Sequence, residues 1–197
     1  MRYPPDHKAK AREALLNAGM RSMKTAGFNG IGVDGLAAEA GVTSGAFYSN
    51  FRNKEAMLEA IVETAVGEPF LTDTETASKA EVRRQLRKLI DSYLTVAHVE
   101  HPADGCPMPT LSADVARAGT PTREAYERKL TDWAHRVADC LDGSRPDRER
   151  RAWGILSLMV GAVTVARAVA DPTTQAEVVS SARRTAEKLV MPANRAG

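Results

Sequence analysis

Twenty residues near the N-terminus, GVDGLAAEAGVTSGAFYSNF (residues 32–51), leave little freedom of fold. Leu36 and Ala37 fall on one face of a short helix. Phe47 and Phe51 stand four apart and share a face of a second. Between them Ala40 is small where two helix axes come close. Gly41 suits a left-handed turn, where it carries no Cβ penalty. Val42 plugs the elbow, and Thr43 caps the second helix. The pattern has the shape of a helix-turn-helix. Ser44, Gly45, Ala46 and Ser49 are left on or near the outward face. They are small residues at the N-terminal end of a helix, where a recognition helix meets base edges. The alternative is a helical hairpin buried in a core.

The rest of the chain is also helical in pattern, and no segment alternates at period 2 for long enough to make a strand. Punctuation predicts about nine helices. Pro4-Pro5-Asp6 opens the first and Gly27 closes it. Asn53 caps a helix that ends near Gly67. Residues 70–79 read as a polar linker. One long helix is expected from about Ala80 to Ala97, with Val82, Leu86, Leu89, Tyr93 and Val96 as its buried stripe. A shorter helix covers Pro109–Arg117. Thr120-Pro121 starts another, with Tyr126, Leu130, Trp133, Val137 and Cys140 along one face. The last two run from about Asp147 to Ala170 and onward from the Asp171-Pro172 pair. The fold class is all-α.

Composition agrees. Aromatic residues are 5% of the chain, a poor fit to strand-rich folds. The net charge of +2 lies wholly in residues 1–60, where eight Lys and Arg face six acids; the remainder balances at nineteen each. No apolar run is expected to reach the ~18 residues of a membrane helix. MRYPPDHKAK lacks the apolar core of a signal peptide. Two cysteines make neither a disulfide framework nor a zinc pattern. The chain reads as a soluble, cytoplasmic protein with free thiols.

Gly27-Phe28, then Val33, Leu36-Ala37, Ala40-Gly41-Val42-Thr43, Gly45, Phe47-Tyr48, Phe51 and Lys54-Glu55 agree together at fixed offsets. Over about Lys8–Ile61 this resembles the TetR family of bacterial transcriptional regulators. The resemblance implies that Tyr48, Asn50 and Lys54 touch the DNA backbone, while Ser44, Gly45, Ala46 and Ser49 read bases. Thr43 joins this DNA-binding set. Lys54 suits the role physically, since it lies just inside a helix N-terminus that favours an anion. Gly32 departs from the family pattern, which has Ser or Thr there. The recognition face also lacks Arg and Gln, so bidentate base readout is poor and thymine methyls, backbone contacts or DNA shape must carry specificity. The alternative for Tyr48 is a packed tyrosine.

In the second half, Ile155–Ala170 is apolar nearly all round, so both sides should be buried, which a partner subunit would achieve. The small residues Gly154, Gly161 and Ala168 repeat every seven. With Leu158, Val165, Val178, Ala182, Ala186 and Leu189 they form the expected dimer interface, which the resemblance makes a four-helix one. A monomer with a central buried helix is the alternative. By the same resemblance a small effector binds in the helical core. The candidate lining is Tyr93, Met108, Leu111, Tyr126, Leu130, Trp133, Trp153 and Met159, with ordinary core packing the alternative for each. Such a lining suits an apolar or aromatic effector.

Cys106, in Gly105-Cys106-Pro107, precedes a helix. It is a candidate redox or electrophile sensor, as in a Gly-Cys subset of the family; the alternative is a buried structural thiol. His98 and His101 lack a third ligand at fixed spacing, so no metal and no cofactor are expected. No catalytic triad is visible, so the chain is not read as an enzyme.

The expected organisation is a helix-turn-helix domain at 1–53, a connecting helix at 54–69 and an effector-binding and dimerisation domain at 70–197. The expected function is that of a homodimeric, ligand-responsive repressor of a pseudo-palindromic operator, with no membrane partner. The rival is a helical ligand-binding or thiol-sensing protein without strong operator affinity.

Overall fold

The computed structural model describes residues 5–67 and 78–191, with side chains from Lys8 onward. The described residues form ten α-helices, one 3-10 turn and no strand. The helices are α1 (Pro5–Ala26), α2 (Val33–Glu39), α3 (Ser44–Asn50), α4 (Lys54–Ala65), α5 (Lys79–Tyr93), α6 (Val96–Glu100), α7 (Met108–Arg117), α8 (Thr120–Asp139), α9 (Arg145–Ala168) and α10 (Pro172–Val190). The expected linker falls, except for residues 78–79, outside the described residues.

Packing divides the chain into two compact units. The first combines Met1–Val66 with Pro102–Lys129, and the second combines Gly67–His101 with Leu130–Gly197. In the first, α1 packs against α2, α3, α4 and α7. Leu15, Met23, Leu36, Phe47, Met57, Leu58, Ile61, Met108 and Leu111 are buried there. Burying a side chain of this size contributes about 1.5–3 kcal/mol. In the second unit α9 and α10 pack as a pair, joined by α5 and α6. Leu86, Ile90, Trp133, Val137, Ile155, Met159, Val163 and Ala186 are buried there.

Three local expectations change. The long helix predicted over 80–97 stops at Tyr93. Leu94 leaves helical geometry at ψ 69°, and Thr95 caps a new helix by accepting a hydrogen bond from His98 N. His98 Nδ1 lies 2.7 Å from the Tyr93 carbonyl oxygen, which helps satisfy the broken end. Val96 is then only half-buried, and Val99 takes its place in the core.

Next, α9 is buried on one face only. Ala152, Ile155, Met159, Val163 and Ala166 point inward, while Trp153 is 40% and Val165 53% exposed. Lastly, α9 is long and apolar enough, by length and composition, to cross a membrane, contrary to the expectation that no stretch would be. Two arginines bind it into the second unit instead. Arg151 is 3% exposed and donates to Asp147, to the Leu189 carbonyl and to the Asp142 carbonyl. Arg167 donates to the carbonyls of His98 and Val99.

Candidate nucleic-acid interface and effector core

The turn between α2 and α3 follows from its residues. The amide of Gly41 bonds the Ala38 carbonyl at 3.0 Å, and that of Val42 bonds the Ala37 carbonyl at 2.9 Å. This double closure is a Schellman ending. It places Gly41 at φ 66°, where an L side chain would be strained. Thr43 then accepts from the Ala46 amide at 3.2 Å and caps α3. Ser44 Oγ donates to Asp34 across the turn, and Ser22 Oγ donates to Glu39, which ties α1 to α2. Phe47 has no exposed surface, and its ring lies 5.7 Å from that of Phe51. The buried face of α3 is therefore anchored, and its opposite face is fixed by default.

That outer face carries most of the residues predicted to meet DNA. Tyr48 is 60% exposed, with its ring edge-on to Phe47 at 5.4 Å. Thr43, Gly45 and Ser49 are exposed; Ser44 and Ala46 are half-buried. A Cβ on Gly45 would make only ordinary contact with Thr43 Oγ1 at 3.7 Å. Space inside the protein does not demand a glycine there.

Two of the predicted residues also make contacts within the chain. Asn50 folds back along its helix: Nδ2 donates to the Ala46 carbonyl at 2.8 Å, and Oδ1 is buried without a hydrogen-bond partner. Lys54 is half-buried. Its ammonium sits 4.3 Å over the Phe28 ring and donates to the Ile31 carbonyl at 3.0 Å. It stands at the first residue of α4, which Asn53 caps through the Ala56 amide. Gly32 caps α2 with backbone alone, and a Cβ there would meet nothing within 4 Å.

The segment 102–129 packs in the same unit, and its hydrogen bonds show how. Lys24 Nζ donates to the Ala103 carbonyl at 3.3 Å, and Thr110 Oγ1 donates to the Lys24 carbonyl at 2.9 Å. The Phe28 amide donates to Asp114 Oδ2 at 2.9 Å. The Gly119 amide, at the start of α8, donates to Glu55. Arg128 pairs with Glu63. None of these links has a local sequence signal, since partners stand 64 to 86 residues apart.

The same unit holds an apolar crevice too narrow for a water molecule. Ile61, Val62, Val66, Pro107, Met108, Leu111, Val115 and Tyr126 line it. The Tyr126 hydroxyl is 2.7 Å from Ser112 Oγ. Burial raises the Tyr126 pKa above the usual phenol value, partly offset by that hydrogen bond.

Three of the eight predicted lining residues, Met108, Leu111 and Tyr126, thus meet in one place. Tyr93, Trp133 and Met159 are buried in the second unit, Leu130 is half-buried, and Trp153 is exposed. Trp153 lies on the outer face of α9, so its candidacy as an internal lining residue fails.

A sequence model of bacterial regulatory proteins of the TetR family matches residues 15–61, and one of the tetracycline repressor-like C-terminal domain matches residues 82–182. The second alone spans more than half of the 197 residues.

The chain belongs to the TetR family.

Members of this family are ligand-responsive, DNA-binding transcriptional repressors that act as dimers. Among solved structures, NemR of E. coli in its reduced form is 21% identical, with a TM-score of 0.74 over 93% of this chain and 98% of that one. Regulatory protein TetR from Rhodobacter sphaeroides is 20% identical, with a TM-score of 0.70 over 91% and 98%. FadR from Bacillus subtilis, in complex with stearoyl-CoA, is 17% identical, with a TM-score of 0.67 over 92% and 99%. These likenesses show a shared fold. No curated protein sequence matches the chain.

A TetR-family dimer needs a face for its partner. Ser157, Leu158, Gly161, Val165, Val178, Ser181 and Thr185 border an open groove between α9 and α10. A Cβ on Gly161 would meet nothing within 4 Å. Ala182 also lines this groove, while three residues of the predicted interface pack within the chain. Ala186 is buried. A Cβ on Gly154 would lie 3.3 Å from Leu189 Cδ1, so that pair closes α9 onto α10. A period of seven on α9 cannot separate the outer from the inner side of a helix that is apolar on both.

Both thiols of this TetR-family chain are buried. Cys106 precedes Pro107, the cap of α7. Cys140 donates to the Arg136 carbonyl, and burial raises its pKa to about 11. No group of three or more His, Cys, Asp or Glu side chains is arranged for a metal among the described residues.

Proposed function

We propose that this protein is a repressor that binds a pseudo-palindromic operator as a homodimer and releases it when a small apolar effector binds. The observation that carries this reading is the outer face of α3. Gly45, Tyr48 and Ser49 are presented to solvent on a helix whose opposite face is locked by Phe47 and Phe51. In the dimer two such helices meet half-sites about 34–36 Å apart. We assign DNA reading to 1–53, connection to 54–69, and effector binding with dimerisation to 70–197.

With no Arg or Gln on this face for bidentate readout, specificity comes from thymine methyls, backbone contacts and DNA shape. Release follows from a population shift: the effector stabilises a state whose spacing does not fit the operator. The crevice between α4, α7 and α8 is closed even to water here, so an effector enters only as α7 moves; the apolar lining then favours an uncharged one, because a charge there would lose its water without a partner. Opening it moves α7. Asp114 and Thr110 then act directly on Phe28 and Lys24 in the DNA-binding half.

Selection from a random-sequence duplex pool with the purified protein tests the reading. Enrichment of a two-fold symmetric site is expected. Recovery of no sequence above background would exclude a specific regulator and leave the rival, a helical ligand-binding or thiol-sensing protein. Cys106 is the residue that rival would use, since it stands at the entrance of α7. Thiol alkylation rates against pH test it. A rate matching that of Cys140 would identify Cys106 as a structural thiol.

A further inference from the structure

We propose that Arg12 is a positioning residue for the recognition helix: it clamps the C-terminal end of α3 to α1 through a guanidinium that both caps and stacks. The inference rests on the reading of α3 as the DNA-reading helix. That helix is seven residues long, too short to persist without outside support. Its N-terminal end is secured by Thr43 and by the Ser44–Asp34 bond.

Its C-terminal end has no glycine. The chain leaves through Phe51 in extended geometry, φ −135° and ψ 128°. The amide of Phe51 closes onto the Phe47 carbonyl, which leaves the last carbonyls in need of donors. Asn50 spends its side-chain donor on the Ala46 carbonyl, one turn back.

Arg12 supplies what is missing. Its Nη1 donates to the Asn50 carbonyl at 3.3 Å, and its Cζ lies 4.5 Å from the centre of the Phe51 ring. A cation at a helix C-terminus also complements the helix dipole. The planar fork makes both contacts at once, with Nη1 on the carbonyl and the guanidinium face on the ring. A lysine can also join a carbonyl and a ring, as Lys54 does with Ile31 and Phe28, so Arg12→Met is the decisive variant and Arg12→Lys the conservative one. Arg12 is exposed, so it is not a core residue whose loss would unfold the unit.

The test uses the full chain with Arg12→Lys and Arg12→Met, and two independent readouts. The first is amide hydrogen exchange. In Arg12→Met residues 47–51 should exchange roughly tenfold faster while the amides of α4 are unchanged, with Arg12→Lys between it and the wild type. The second is affinity for a duplex selected by the wild type, beside a scrambled duplex of equal length. Affinity for the selected site should fall roughly tenfold in Arg12→Met and less in Arg12→Lys. Affinity for the scrambled duplex and the salt slope should stay at wild-type values, because no phosphate contact has been removed. Wild-type exchange in Arg12→Met would overturn the proposal. So would an equal loss on both duplexes with a salt slope reduced by about one, the signature of a direct phosphate contact. If the wild type selects no site, the DNA reading fails, and the exchange rates alone decide the role of Arg12.

Discussion

Gly32 leaves α2 without a side-chain cap, although a Cβ would fit there freely. Gly32→Ser should therefore stabilise the protein by a few tenths of a kcal/mol, and thermal melting should show a rise of about 1 °C. A lower melting temperature would mean that the open space is not available to a hydroxyl. Lys54→Ala should weaken binding to all duplexes and reduce the salt slope by about one; unchanged salt dependence would confine Lys54 to its contacts with Phe28 and Ile31. Cys140 gives a pH prediction. Its thiol is held above the usual range, to about 11, so the folded state keeps a proton that the unfolded chain releases earlier. Its contribution is complete below the ordinary thiol pKa and is lost as pH rises toward 11. Denaturant melts at pH 8 and 10.5 should show a smaller drop for Cys140→Ala than for the wild type. At this scale Thr43 was legible in the sequence, because capping needs only its own next turn. The inward fold of Asn50 was not, because the residue type leaves open whether its amide turns back onto its own helix or out to solvent.

Elements were legible where a cap or a glycine marks a boundary, as at Gly41 and at Asp171-Pro172, where Asp171 accepts from the Thr174 amide. They were obscure where an apolar stripe runs through a break. Val96 keeps the spacing of α5, yet Thr95 caps a separate α6. Arg151 shows a related limit. In the run Arg145 to Arg151 it looks like any solvated arginine, but it is buried and joins α9 to the end of α10. Arg151→Met should cost about 2–4 kcal/mol, since it strands two carbonyls and Asp147, and should lower the melting temperature by roughly 5–10 °C. A change below 1 °C would mean that water replaces the guanidinium. Asp147 is held below the usual carboxylate range first by its bond to Arg151, so this stabilisation fades as pH falls below that range.

For the whole molecule, we propose the outer face of α9 as the surface of assembly. Val165 is 53% exposed beside Gly161, which leaves room for a partner helix. Val165→Arg should leave secondary structure intact, shift sedimentation to a monomer and weaken operator binding more than tenfold, because one half-site alone remains. A dimer at wild-type concentration would exclude this face. The all-helical class and the DNA-reading motif were determined by the sequence alone, because caps, turn glycines and helical spacing act within a few residues. Only the tertiary structure decided which of the two apolar sides of α9 faces solvent, that 102–129 packs with the first 66 residues, and that three of the eight predicted lining residues share a crevice. These depend on partners tens of residues apart, and packing chooses among faces that the local pattern leaves equivalent.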